Sequence, residues 1–461
     1  VSLGVTGIVI GAGDRGYDAY ATYFLDRPEA GRVVAVAEPD RPRRDRFADR
    51  YGLAPAACHE TWQDLLAGPR VADFALVATG DAHHVEPTLA ALAAGYHVLL
   101  EKPIALDEAD CLQLLAAADD AGRVLAICHV YRYSHLFSKL HAVVESGELG
   151  DVVSIQLSEN VSHWHYAHSY VRGHTRRSEV PWLLQKSCHD LDLIAWLAGV
   201  PATRVASFIR PTELTATNTP PGAPDFCIEG CPHASTCPYD AVALYRDLRP
   251  MLNDLAMASS PALRLAGRAA RWARPLAAKV APAPLQKRIE WWRWPVAAVT
   301  DDHTPAGLDE ALRTTRWGRC VYKVDDNDQP SAQSVSIQFA NGVTASFMVQ
   351  STSHRTMRQV RVDGTRGSAL GHLYALDGDL TVFDHKSGRR RRLHIPVAYD
   401  GHGGGERPLF VDFLDAVSTG SEPRSSIRGS IDSHRIAFAA MRSARDGVVV
   451  ELPPTPESGG D

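Results

Sequence analysis

The sequence predicts an α/β chain that opens on a doubly wound parallel sheet. Three observations predict it. Short apolar runs alternate with alanine-rich helical stretches through the first 150 residues. The first of these runs ends in Gly11-Ala12-Gly13-Asp14-Arg15-Gly16. Beyond residue 330 the pattern changes to short alternating strands and a tight turn, the mark of a second, differently built region.

The apolar runs fall at residues 8–10, 33–37, 74–79, 97–100 and 124–128. Each is continuous, as a strand covered on both faces should be. Helical segments at 85–94 and 108–121 separate the later ones. In that setting the glycine loop has mechanical sense. Gly11 permits the tight turn, Gly13 lets backbone approach a pyrophosphate, and Gly16 allows close packing of helix on strand. Asp14 and Arg15 lie inside the loop and are counted with it as dinucleotide contacts. Glu38 closes the second run, where a carboxylate can hold a ribose diol. It would repel a 2′-phosphate and favours NAD over NADP. Arg41, Arg43 and Arg44 follow directly and argue the other way, unless they are a solvated helix start.

Glu101-Lys102-Pro103 follows the fourth run, at the strand end where ligands sit in such sheets. Lys102 offers a charged donor to a hydroxyl or a developing alkoxide. Further on, His189, Asp192 and Trp196 are spaced to share one helix face. A histidine near a helix start suits acid–base work at neutral pH, and the helix dipole there disfavours its cation.

The glycine loop, Glu101-Lys102-Pro103 and His189-x-x-Asp192 together resemble the Gfo/Idh/MocA oxidoreductases. The resemblance runs from about residue 5 to 455. It takes in Ala78-Thr79 followed by His84, and Arg132 after the fifth run. It implies an NAD(P)-binding Rossmann domain over 1–130. It also implies a C-terminal α+β domain over 131–461, with an open, mostly antiparallel sheet for substrate and oligomer contacts. The implied chemistry is hydride transfer at a secondary hydroxyl, or the matching ketone, of a sugar, sugar derivative or cyclitol. Lys102 and His189 become the catalytic pair, with Thr79, His84 and Glu101 beside the cofactor and Arg132 beside the substrate. Many family dehydrogenases place an aspartate four residues before the histidine. Here that position is Gln185, which cannot carry protons, so either His189 works without that partner or a nearby carboxylate such as Asp190 or Glu159 substitutes. Two other readings follow from the same motifs: a redox-assisted glycosidase that recycles its NAD, and a sugar or dinucleotide sensor without turnover.

The strand expected at 152–158 leads into a segment rich in histidine, aromatic and basic side chains. It holds His163, Trp164, His165, Tyr166, His168, Tyr170, Arg172 and His174. Glu159, His165, His168, Arg172, Gln185 and His189 are therefore expected to line a carbohydrate site. Packing is the second reading of that segment and a metal site the third. Residues from about 211 to 330 read as an insertion. It carries Cys227, Cys231 and Cys237, which with distant Cys320 suggest either a structural zinc site or plain buried thiols. A basic, tryptophan-rich stretch follows at 264–294. Strands are expected at 334–339 and 344–350 around an Asn341-Gly342 turn, at 358–362 and at 380–383, and helices at 410–414 and 430–444. Arg389 to Arg392 read as a charged hairpin edge.

Composition bounds the rest. At 461 residues, two or three domains are expected. Hydrophobic content of 45% with 22% charged residues excludes disordered and collagen-like classes. A net charge of −6 argues against a general nucleic-acid binder. Eight scattered cysteines argue against a disulfide scaffold. The apolar start lacks a basic leader and a cleavage site, and no run is long enough to span a bilayer. The expectation is a cytoplasmic homo-oligomer without stable membrane insertion.

Overall fold

A computed structural model describes residues 4–173, 179–248, 304–374, 377–398 and 401–454, with scattered residues between 249 and 303. The first sheet has the strand order β3-β2-β1-β4-β5-β6. Its strands are β1 (Val5–Ile10), β2 (Gly31–Ala37), β3 (Cys58–His59), β4 (Phe74–Val77), β5 (His97–Leu100) and β6 (Leu125–Ile127). Every pairing in it is parallel. This is the doubly wound order with its switch point between β1 and β4, and the loops after those strands frame the cleft. The short strand β3 had no sequence signal. The apolar runs account for the remaining strands, since Ile8–Ile10 and all of β4 are buried.

Two glycines fix the first crossover. Gly11 has φ +94°, and a Cβ there would lie 2.5 Å from the Ala78 carbonyl oxygen. A Cβ on Gly16 would lie 2.0 Å from the Gly11 carbonyl oxygen. The loop therefore closes on itself. The chain then makes a wide helical turn, Arg15–Ala19, and the short helix Thr22–Asp26.

The second sheet has nine strands in the order β14-β13-β12-β11-β7-β10-β9-β8-β15. They are β7 (Val152–Ser162), β8 (Ala202–Arg210), β9 (Ala332–Phe339), β10 (Thr344–Ser353), β11 (Met357–Gly364), β12 (Gly367–Tyr374), β13 (Gly378–Asp384), β14 (Arg390–Leu393) and β15 (Val450–Glu451). All neighbours are antiparallel except β7 and β10. The Asn341-Gly342 turn joins β9 to β10 as expected, with Gly342 at φ +85°. The basic run forms β14, and its charges guard an open sheet edge. Residues 211–330 leave from β8 and return to β9, which pair side by side. The excursion is thus an insertion between adjacent strands. Its own small core gathers Cys227, Leu244, Tyr245, Leu308 and Leu312 on Trp164.

C-terminal helices lock the two sheets together. Helix Glu406–Thr419 sets Phe410 5.3 Å from Phe24 and Phe413 5.3 Å from Phe74, ring centre to ring centre. Before helix Ile427–Asp446, the Ser425 carbonyl accepts from Ile127 N at 2.8 Å and extends the edge of the first sheet. Among the described residues no helix is long and apolar enough to cross a membrane. The basic tryptophan-rich stretch at 264–294 falls largely outside the described residues, as does His174.

Candidate functional site

The glycine loop rests on Glu38. One carboxylate oxygen accepts from Ala12 N at 2.7 Å, the other from Asp40 N at 3.0 Å. Of the three following arginines, Arg44 bonds the Glu38 carbonyl, while Arg41 pairs with Asp45 on the surface. A Cβ on Gly13 would meet nothing within 4 Å, so the loop faces open space where a pyrophosphate needs room. Gly11, Gly13, Gly16 and Glu38 together form a cradle whose chemistry fits a dinucleotide. Asp14 stands at the start of the wide turn that follows.

Arg15 and Glu101 lie at the same rim and bind each other. Arg15 Nε reaches Glu101 Oε1 at 2.8 Å, and its other arm reaches Glu406 at 2.6 Å. Tyr20 OH also donates to Glu101 at 2.8 Å. Burial alone would push the Glu101 carboxyl up, but Arg15 and Lys102 hold it down, at about 2. These two residues are therefore joined in a bridge to the C-terminal domain. Thr79 sits half-buried at the end of β4 and donates to the His83 carbonyl at 2.8 Å.

His84 does not face the cleft. Its ring is 1% exposed and lies between the carbonyls of Pro103, at 2.7 Å, and Thr79, at 3.3 Å. It braces the loops after β4 and β5. Burial lowers its pKa and keeps it neutral.

Lys102 is half-buried, and its ammonium donates to the Gln185 carbonyl at 2.8 Å. His189 opens helix Cys188–Ala198 and is 6% exposed. Its pKa lies well below the usual value, first through burial and then through Lys102, His129, His402 and Arg358. The fold thus brings the ammonium and a neutral imidazole to one place. Tyr131 presents its ring to His189 at 5.2 Å. Gln185 accepts from Tyr170 OH at 3.2 Å.

Beside this pair lies a buried cluster of charge. Glu159 stands on β7, Arg358 on β11, and Asp190 next to His189. Arg358 Nε lies 2.6 Å from Asp190 and 3.0 Å from Glu159, and its guanidinium covers the Tyr131 ring at 3.9 Å. Lys186 approaches Glu159 at 3.4 Å, and burial lowers its pKa. Burial pushes the Asp190 carboxyl up to about 6 against the pull of Arg358. Both carboxylates are engaged by these cations. His165 lies half-buried beside Lys186, and burial followed by the Lys186 charge depresses its pKa.

Three further residues expected at the substrate are engaged by protein partners. Arg132 is 2% exposed and grips Asp192 with two bonds of 2.7 and 2.6 Å, spending its other donors on the carbonyls of Arg424 and Gly429. It ties Asp192, and with it the helix that carries His189, to its neighbours. His168 bonds Tyr245 OH at 2.9 Å and stacks on Trp317 at 4.9 Å. Arg172 is fully buried and donates to the carbonyls of Arg319 and Tyr239. Both serve the packing of the insertion, since their segment is helical (His163–Tyr166, then Ala167–Arg172) and turns one face inward.

Cys227, Cys231, Cys237 and Cys320 do gather around one cavity of about 20 Å³, room for roughly one water. Yet among the described residues no three histidine, cysteine or acidic side chains are grouped to hold a metal ion. Of the two expectations, plain buried thiols fit this arrangement, and zinc is not supported. Burial raises the pKa of Cys237 and Cys320, as it does for packed neutral thiols.

Sequence reasoning missed His129, Tyr131, Arg358 and His402. The first two flank Arg132, which was singled out, and Arg358 begins the strand expected at 358–362.

The sequence also matches two family models in chain order. Residues 6–129 match the oxidoreductase family's NAD-binding Rossmann fold, and residues 318–452 match its C-terminal alpha/beta domain. The chain belongs to the Gfo/Idh/MocA oxidoreductase family. Between the matched stretches of this Gfo/Idh/MocA member lie His189 and the insertion. It is similar to inositol 2-dehydrogenase of Gluconacetobacter diazotrophicus, 30% identical over 191 residues, covering 41% of this chain and 53% of that protein. The inositol 2-dehydrogenase of Streptomyces avermitilis is 31% identical over 211 residues, covering 45% and 57%. The chain thus spans about half the length of the curated relatives it matches. Among solved structures, the WlbA dehydrogenase from Bordetella pertussis, in complex with NADH and UDP-GlcNAcA, superposes with a TM-score of 0.62 at 14% identity, covering 99% of each chain. That likeness shows the fold.

Proposed function

We propose that this chain is an NAD-dependent oxidoreductase acting on a secondary hydroxyl, or the matching ketone, of a sugar, sugar derivative or cyclitol. One observation carries the reading. The Lys102 ammonium and the neutral His189 ring meet beside a dinucleotide cradle, at the seam between the two sheets. A bound nicotinamide would supply the hydride acceptor. The chain's own residues manage the proton. His189, held neutral, takes it from the substrate hydroxyl, while Lys102, anchored on the Gln185 carbonyl, stabilises the alkoxide. His165, Gln185 and Lys186 offer polar contacts to neighbouring hydroxyls. Glu38 favours NAD over NADP, because the nearby Arg44 is engaged by the Glu38 carbonyl.

The test is nicotinamide absorbance change with purified protein across inositols, aldoses and glycosides, with NAD and NADP in parallel. Lys102→Ala should lower turnover by about 10²- to 10⁴-fold while NADH still binds, as read by its fluorescence. Release of an aglycone without net reduction of NAD would favour the redox-assisted glycosidase. Absence of turnover in both forms, with binding intact, would favour the sensor. Self-association is proposed from the family resemblance, and light scattering on the purified chain measures it.

A further inference from the structure

His189 lacks the carboxylate that Gln185 replaces, but it is not alone. His129 follows β6 and is 1% exposed. Its Nδ1 lies 3.5 Å from His189 Nδ1, and its Nε2 lies 3.6 Å from Asp192 Oδ1. Asp192 lies on the same helix as His189, nearly one turn along, and is pinned by the two-bond grip of Arg132. The three groups form a line from the cleft into the core.

Tautomer chemistry restricts this line to one arrangement. A neutral imidazole has one N–H and one lone pair. The Nδ1–Nδ1 contact needs a donor on one ring and an acceptor on the other. If His129 donated there, its Nε2 lone pair would face the Asp192 carboxylate, which is repulsive. With the proton on His129 Nε2, both contacts are favourable. The His129 Nε2–H then faces the Asp192 carboxylate at 3.6 Å, an electrostatic attraction longer than a hydrogen bond, and His129 Nδ1 accepts Nδ1–H from His189. His189 is left with its lone pair on Nε2, the ring nitrogen turned away from His129.

We propose that His129 and Asp192 are a positioning pair that fixes His189 as the Nδ1–H tautomer and so presents Nε2 as the base. The inference rests on the reading of His189 as the proton acceptor. Burial and the surrounding cations favour two neutral rings. Lys102, His402 and Arg358 face His189; Arg132, Lys102 and His434 face His129, with Glu101 alone pulling the other way.

The test reads the tautomer directly. In protein labelled with ¹⁵N-histidine, long-range ¹H–¹⁵N correlation near neutral pH should show His189 with a protonated Nδ1 and a lone-pair Nε2. Its signal is assigned by its loss in His189→Gln. His129→Leu should shift His189 toward the Nε2–H form, and His129→Asn, which keeps an acceptor oxygen, should restore part of the original bias. With a polyol that reduces NAD, His129→Leu should lower kcat about 10- to 100-fold with little change in KM. A wild-type His189 protonated on Nε2 would overturn the proposal, whether or not the variants fold. So would an unchanged tautomer in a folded His129→Leu chain. The expected tautomer without turnover on any substrate would instead count against the oxidoreductase reading alone.

Discussion

Two carboxylates in this site respond to pH in opposite ways. Glu101 is held at about 2 by Arg15 and Lys102, against an unfolded value of 4.5. A depressed folded pKa gives stability that is complete above the unfolded value and lost as pH falls toward the folded one, here on the order of 3 kcal/mol. The Tm gap between the native chain and Glu101→Gln should therefore be wide near neutral pH and shrink as pH drops below about 4. Asp190 is raised to about 6 from 3.8 by burial. A raised value gives a contribution complete below the unfolded pKa and lost as pH rises through the folded one. The Tm difference between the native chain and Asp190→Asn should thus fall between about pH 4 and pH 6, the reverse trend. Matching slopes in the two comparisons would refute these environments. Arg132 offers a third check at this scale. Arg132→Ala leaves Asp192 buried without its cation, and urea unfolding should show a loss of about 3–5 kcal/mol.

At the scale of elements, the glycine loop separates folding from binding. Gly16→Ala forces a Cβ against the Gly11 carbonyl oxygen, so it should destabilise the fold by roughly 1–3 kcal/mol. Gly13→Ala adds a methyl to open space and should leave Tm unchanged, but it should weaken NADH binding because the backbone no longer approaches the pyrophosphate. Paired thermal melts and fluorescence titrations distinguish the two. That loop, with β5 and the His189 helix, was legible because each function depends on residues close together in sequence. Arg358 was not legible, because its partners Asp190 and Glu159 lie on distant elements and meet it only through β7–β11 pairing and the helix above. The partners of Arg172 and His168 were not legible for the same reason. Their local composition suits a sugar, but the partners that bury them come from the insertion, and nothing in their own segment reveals that.

At the scale of the molecule, the site exists only while the two sheets stay together. Lys102 belongs to the first sheet, His189 to a helix packed on the second. Links that hold them include the Phe410 and Phe413 rings on Phe24 and Phe74, Ile427 and Ile431 in the core of the first sheet, the Arg15–Glu406 and Arg435–Glu108 bridges, and the Ile104–His434 and Ile127–Ser425 bonds. The rings are large apolar groups buried at this seam, so their loss should be felt. Phe410 also meets Tyr20 at 6.2 Å and Tyr23 at 5.9 Å, which leaves no neighbour free to fill its space. Phe410→Ala should then cost about 3–5 kcal/mol. Trp62 is the lone tryptophan before residue 164, so a chain whose other tryptophans are replaced by phenylalanine reports on the first sheet. Its fluorescence and the far-UV signal of the whole chain should unfold at one denaturant concentration, and Phe410→Ala should lower both midpoints together. If only the Trp62 transition moved, the sheets would be independent units. The Lys102–His189 site would then depend on the remaining polar links.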